Sequence, residues 1–454
     1  MLAMTTLYFD AALLPEGWAQ GVRIAVREGV IAELATGAVR ETGDEHHRLG
    51  LPGMSNLHSH AFQRGMSGLA EVQGPGSDSF WTWREVMYRF VGRMDADDVE
   101  AVAAQAYAEM LEAGFTRVGE FHYLHHDAAG MAYSDIAELA GRIAAAAETT
   151  GIGLTLLPVF YAHSGFGGDA PTAGQRRFAN DPDSFARLVD ASRRILADRA
   201  GAVVGIAPHS LRAVTPGELQ DILPLAQGGP VHIHVAEQLA EVEACLTWSR
   251  CRPVEWLLDN APVDPAWCLI HATHTSPEEL AGIARRGAVV GLCPVTEANL
   301  GDGIFPGSTF ASAGGRYGIG SDSNVLIDAA GELRQFEYTQ RLAGRGRNVM
   351  VTNGSTGRAL FDAALCGGGQ ALGAGTGGVR LGASADLVSL DPDHPALIGR
   401  REDAILDSWI FGARQSVIDC VWVRGKKRVE GGSHLGAPAI AARFRRTLEG
   451  LLAL

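Results

Sequence analysis

Short runs of Val, Ile and Leu, apolar on both faces and ending in polar residues, recur through the middle of the chain. They fall at 53–60, 115–123, 154–161, 203–210, 231–237, 268–274, 288–294 and 318–323. Between them lie longer stretches with helical spacing, among them 97–113, 136–149, 182–197 and 277–286. Strands that are apolar on both faces and alternate with helices belong to a parallel sheet covered on both sides. Eight such units predict an α/β fold of the TIM type, a (β/α)8 barrel, whose active site is expected where the strands end.

The flanks read differently. Residues 5–50 and 380–430 alternate in short strand-like pieces, such as Val22-Arg23-Ile24-Ala25-Val26 and Ala385-Asp386-Leu387-Val388-Ser389-Leu390-Asp391. A small β-sandwich assembled from both chain ends is expected beside the barrel. The expected division is 1–52 and 375–437 for the sandwich, 53–374 for the barrel and 438–454 for a C-terminal helix. The glycine-rich stretch 367–378 reads as the linker back.

With 454 residues, 46% hydrophobic and 20% charged, the composition is that of a folded protein with ample core. The 38 basic and 52 acidic side chains give a net charge of −14, which argues against nucleic acid or an anionic membrane as partner. An anionic small substrate would need cations placed locally. No segment approaches the ~18 apolar residues of a membrane span, and the first residues show no basic stretch followed by an apolar run. Six cysteines without a CxxC pair fit neither a disulfide framework nor a thiolate metal site, so a cytoplasmic setting is expected.

Candidate chemistry gathers at the strand ends. In His58-Ser59-His60, residues i and i+2 of a strand share a face roughly 6.6 Å apart, so both rings can reach one cation. His232-Ile233-His234 repeats the pattern, with Glu237 three residues on; His232 reads as a buried strand residue. His271 and Asp322 each end a further apolar run. Three imidazoles and one carboxylate make a site for one divalent metal, zinc or ferrous iron. With a coordination position left open, such a cation acidifies water toward neutral pH.

These residues resemble the amidohydrolase superfamily. The resemblance rests on Leu57-His58-Ser59-His60, on His234 with Glu237, on His271, and on Ser321-Asp322-Ser323. The phrase Gly382-Ala383-Ser384-Ala385-Asp386-Leu387-Val388 adds to it. Longer phrases are similar to the aminohydrolase branch and its formiminoglutamate deiminases. They are His60-Ala61-Phe62-Gln63-Arg64, Glu120-Phe121-His122-Tyr123-Leu124-His125-His126, Ala207-Pro208-His209-Ser210-Leu211-Arg212 and the stretch 293–303. Many relatives bridge two metals with a carboxylated lysine on strand four. The only lysines here are Lys426 and Lys427, far outside the barrel runs, so a single metal is expected.

The resemblance implies His58, His60, His234 and Asp322 as metal ligands in a homodimeric enzyme. The implied reaction is hydrolysis of N-formimino-L-glutamate to N-formyl-L-glutamate and ammonia, with an aminohydrolase acting on a nucleobase-like or triazine ring as the alternative. Glu237 would shuttle a proton to the leaving nitrogen, Asp322 would be a second proton acceptor, and His271 would stabilise the tetrahedral intermediate. The substrate is an amidine dicarboxylate, for which Arg212 and His209 supply contacts, with Gln63 and Tyr123 bonding the other carboxylate or the amidine. Four further features take plainer readings. Trp81-Thr82-Trp83 and Tyr88 suggest a lid helix or aromatic core, and Glu297 and Asn299 are expected along the pocket. His122, His125 and His126 read as supporting residues, and Gly301-Asp302-Gly303 as a turn.

Overall fold

The computed structural model describes residues 5–73, 76, 79–375 and 377–453. The first four residues of the expected N-terminus, Thr376 of the glycine-rich stretch and Leu454 at the chain end lie outside it.

The strands Met54–Ser59, Phe115–His122, Gly153–Phe160 and Val203–Val204 form one parallel set, and Val231–Val235, Trp267–His271, Val289–Leu292 and Arg316–Ile319 a second. Parallel bridges at two seams close them into a cylinder: Ile206 with Val231 and Ser210 with His234 at the first, and Ser59 with Asp322 at the second. At the second seam the Asp322 N–H donates to His58 O at 3.0 Å and the His60 N–H to Asp322 O at 2.9 Å. The seam that closes the barrel therefore also aligns three of the expected ligands.

The fourth run, expected as one strand over 203–210, is broken. Val203–Val204 and Ala207–Pro208 both pair with Gly153–Phe160, whereas Ile206 turns to Val231. Gly205 marks the switch, because a Cβ there would lie 2.3 Å from Pro230 O. Helix starts follow a local rule. Asp181-Pro182, Thr215-Pro216 and Ser276-Pro277 each place a side-chain acceptor at the N-cap and proline in the first turn, where its missing N–H costs nothing.

The expected linker 367–378 needs correction, since the helix Thr356–Ala371 runs through its first half. The glycines there serve close packing: a Cβ on Gly367 would lie 1.9 Å from Tyr317 O, and one on Gly369 2.1 Å from Gly375 O. The end of this helix plugs the bottom of the barrel. Ala371 and Leu372 pack with Leu57, Cys268, Ile270, Val289 and Cys293. Their carbonyls accept hydrogen bonds from His232 Nε2 at 2.7 Å and Thr155 Oγ1 at 2.9 Å. His232 is thus spent on the floor and its neighbour two residues on is free for the mouth.

Both chain ends enter one eight-stranded sheet with its own core, which includes Leu7, Phe9, Ile24, Leu387 and Trp422. Glu45–Pro52 joins the halves, parallel to Thr5–Leu14 and antiparallel to Leu387–Leu390. The helix Ala437–Leu452 packs on Ala96–Glu112 of the barrel.

Candidate active site

Three rings meet at the C-terminal mouth. His58 Nε2 lies 3.0 Å from His234 Nε2, and Asp322 Oδ1 lies 3.4 Å from His58 Nε2 and 3.3 Å from His60 Nε2. The pairing register slips between Asn56 and Ser59, an irregularity of the kind that re-aims side chains beside active sites. Two rings have their tautomer fixed from behind: His60 Nδ1–H donates to Phe121 O at 3.0 Å, and His234 Nδ1–H to His209 O at 3.1 Å. In a neutral ring the bare Nε2 then carries its lone pair inward, and burial keeps the rings neutral. It pushes His58 down to about 3 and lowers His60 and His234. Burial alone would raise the Asp322 carboxyl, but His58, His60 and His271 hold it well below the usual range. Lone pairs converging in a buried space repel unless a cation lies between them. About 3.3 Å is the spacing of ligand atoms arranged tetrahedrally at metal-binding distance. The four residues fit a divalent metal.

The backbone is strained where the chemistry gathers. His271, Ala272, Asp322 and Asn324 have φ of 67, 48, 44 and 55°, and Ala236, before Glu237, has 52°. Non-glycine residues hold such angles only where their surroundings over-determine them, and such sites cluster at active centres. These turns also explain why strands end sooner than the apolar runs suggested. Glu241 folds back from the helix Leu239–Ser249 to hold the Glu237 turn, accepting from the N–H groups of Ala236 and Glu237 at 3.2 Å each.

Beyond the rings lies a wall of carboxylates around His271. Its Nε2 is 3.7 Å from Glu237 Oε1 and 3.8 Å from Asp322 Oδ2, and its Nδ1 is 3.3 Å from Glu297 Oε1. Burial works against charge on this ring, but Glu237, Glu297 and Asp322 overcome it and push it up to about 10. Burial lifts the Glu237 carboxyl, helped by Asp322 and Glu241 and opposed by His271 and Arg212. Asp302 is buried here too, pushed up to about 9 by burial and by Glu237, and bonded by the Gln238 amide. The expected turn at 301–303 is present, with both glycines at positive φ, but Asp302 belongs to the site.

The opposite wall is cationic and aromatic. A cavity runs from His60, His234, His271 and Asp322 past Gln63, Tyr123 and His209 to Arg212 and Arg84. Gln63 Nε2 donates to Tyr123 OH at 2.8 Å, leaving the buried Gln63 Oε1 without a partner. The Arg212 guanidinium is 6.0 Å from the Trp81 ring centroid, and that of Arg84 is 4.5 Å from it. Both Nε atoms are buried and unpartnered. Among the described residues neither arginine forms an ion pair, while Glu237 and Glu241 favour the charge on Arg212 against its burial.

Of the expected site residues, Glu237, His271, Asp322, His60, His234, Gln63, Tyr123, His209 and Arg212 line one cavity, and His58 lies fully buried against His234; sequence reasoning missed Arg84. Its signal was spacing: Trp81, Arg84 and Tyr88 stand i, i+3 and i+7 on the helix Phe80–Val91, which covers the mouth. Two expectations need correction. Glu297 lies behind His271 rather than along the reaction cavity, because its carboxylate folds back onto the Cys293 N–H at 3.0 Å. Asn299 faces outward and donates to Glu71 at 2.7 Å. His125 and His126 donate to Val159 O and Ala179 O, and His122 is buried beside them; none joins a metal-type cluster among the described residues.

A (β/α)8 barrel with a ring of imidazoles and a carboxylate at its mouth defines a hydrolase built to hold a metal. The chain belongs to the amidohydrolase family, whose model matches residues 50–428, while that of the formimidoylglutamate deiminase HutF N-terminal domain matches residues 4–48. The formimidoylglutamate deiminase of Pseudomonas aeruginosa is 50% identical, over 99% of this chain and 100% of its own. A solved amidohydrolase from Brucella melitensis is 57% identical with a TM-score of 0.96, covering 99% of this chain and 100% of that one. An adenosine deaminase from Xanthomonas campestris, 21% identical with a TM-score of 0.82 and 98% of both chains covered, shares the fold.

Proposed function

We propose that the protein hydrolyses N-formimino-L-glutamate to N-formyl-L-glutamate and ammonia, a step of histidine degradation. One observation carries the reading: a single cavity has carboxylates beside the ligand cluster at one end and two guanidiniums without an ion-pair partner at the other. A cationic amidine joined to a dicarboxylate has the same polarity. The 50% identical relative named for this activity, and the match of the deiminase N-terminal domain, support it.

His58, His60, His234 and Asp322 would hold one divalent cation, which their N3O donor set suits to zinc; when bound it supplies Lewis acidity and an acidified water. Glu237, its carboxyl raised by burial, accepts a proton and passes it to the leaving nitrogen, which departs as ammonia. His271, cationic among its carboxylates, steadies negative charge developing on the attacking oxygen, and Asp322 is a second proton acceptor. Arg212 and Arg84 grip one substrate carboxylate, while Gln63, Tyr123 and His209 orient the rest. The reading carries with it the homodimer that the resemblance implies and the cytoplasmic setting expected from the cysteine pattern.

The test is ammonia release by metal-loaded protein from formiminoglutamate, adenosine and guanine in parallel. Turnover of formiminoglutamate alone is the expected result; preference for either ring substrate would sink the proposal.

A further inference from the structure

His271 is gripped from behind by a residue outside the reaction cavity. Glu297 sits in the first turn of the helix Pro294–Leu300, is buried, and turns its carboxylate back toward the strand end. The same oxygen, Oε1, accepts the Cys293 N–H at 3.0 Å and lies 3.3 Å from His271 Nδ1. A helix-start carboxylate needs no imidazole, and here the ring stands in line with it. His271 has left-handed backbone, φ 67°, a conformation that persists only where the surroundings over-determine it. A second cavity, lined by Glu297 with Ile304, Phe305 and Phe336 and not by His271, opens beside it.

We propose that Glu297 is the positioning residue for His271: it holds the Nδ1 proton and the ring plane, so that Nε2 is presented to the reacting atoms. It touches neither substrate nor metal ligand and acts through the imidazole, as a carboxylate does behind a catalytic histidine. This inference rests on the hydrolytic reading of the site.

Two measurements on metal-loaded protein decide it. In histidine-labelled protein a ring N–H shared with a carboxylate gives a far-downfield proton resonance. It is expected in the wild type, lost in Glu297→Leu and moved upfield in Glu297→Gln, whose amide oxygen accepts more weakly. In kinetics, Glu297→Leu should cut kcat about 100-fold with KM within about twofold, and Glu297→Gln about tenfold or less. Metal content should stay at one equivalent in both. A resonance that survives in Glu297→Leu or stays unshifted in Glu297→Gln overturns the proposal, as does kcat within about threefold of wild type in Glu297→Leu. So does a change confined to KM, or metal lost in step with activity. Should Glu297→Leu fail to fold, unchanged kcat and resonance in Glu297→Gln are equally fatal. If wild type leaves formiminoglutamate untouched, the functional reading fails, while the resonance still reports on the Glu297–His271 pair.

Discussion

A guanidinium inside an acidic protein, without a carboxylate of its own, is a binding group held in reserve. Arg212 is enclosed by the cavity and its charge is favoured by Glu237 and Glu241 from a distance, yet neither closes an ion pair with it. Replacing it by methionine keeps volume and leaves a substrate carboxylate without its partner. Arg212→Met should lower kcat/KM by about 30-fold, ~2 kcal/mol, with metal content unchanged. Arg84 lies against the Trp81 ring at 4.5 Å on the covering helix, so Arg84→Met should cost about tenfold or less. Steady-state kinetics on both variants checks this, and an unaltered Arg212→Met would remove the carboxylate clamp. Arg212 was legible in the sequence because it follows a strand end on the catalytic side. Arg84 was not, because its strand-distant helix reaches the mouth only through the fold.

Among elements, what the sequence displayed clearly was periodicity and punctuation. The helix expected over 277–286 is Pro277–Arg286, and its Ser276-Pro277 start was readable because capping is a local, two-residue matter. Long-range closeness was illegible. The glycines of 367–369 look like linker on paper, and only the proximity of Tyr317 and Gly375 shows them to be contact surfaces of a helix under the barrel. The same residue type therefore has opposite meaning at two helical positions. Gly367→Ala forces a Cβ to within 1.9 Å of a backbone oxygen and should destabilise by ~3 kcal/mol. Gly450, inside Ala437–Leu452, has nothing within 4 Å, so Gly450→Ala should stabilise by about 0.5–1 kcal/mol. Urea midpoints of the two variants measure the contrast. Equal shifts for both would show that helix propensity, not packing, decides at Gly367.

For the molecule as a whole, the ligand cluster is a fastener as well as a reaction centre. His58 comes from the first barrel strand and His60 from just past its end, His234 from the fifth and Asp322 from the loop after the eighth, and the bridge between Ser59 and Asp322 is where the cylinder closes. A cation bound there joins the two parallel sets, and the unfolded chain cannot reproduce its surroundings. Without it, the buried Nε2 atoms of His58 and His234, 3.0 Å apart, have at most one proton to share. Binding to the folded state alone stabilises it by RT ln(1 + [metal]/Kd), about 4 kcal/mol when free metal exceeds Kd a thousandfold. Chelation should therefore lower Tm and accelerate unfolding, and stoichiometric zinc should restore both together with activity. In a His58→Asn, His234→Asn double variant, Tm should be indifferent to chelator and zinc alike. If chelated protein, proven metal-free by elemental analysis, melts at the temperature of the loaded form, the cluster is not a load shared across the barrel seam. The closure would then rest on the backbone bridges of Ser59, Ile206 and Ser210.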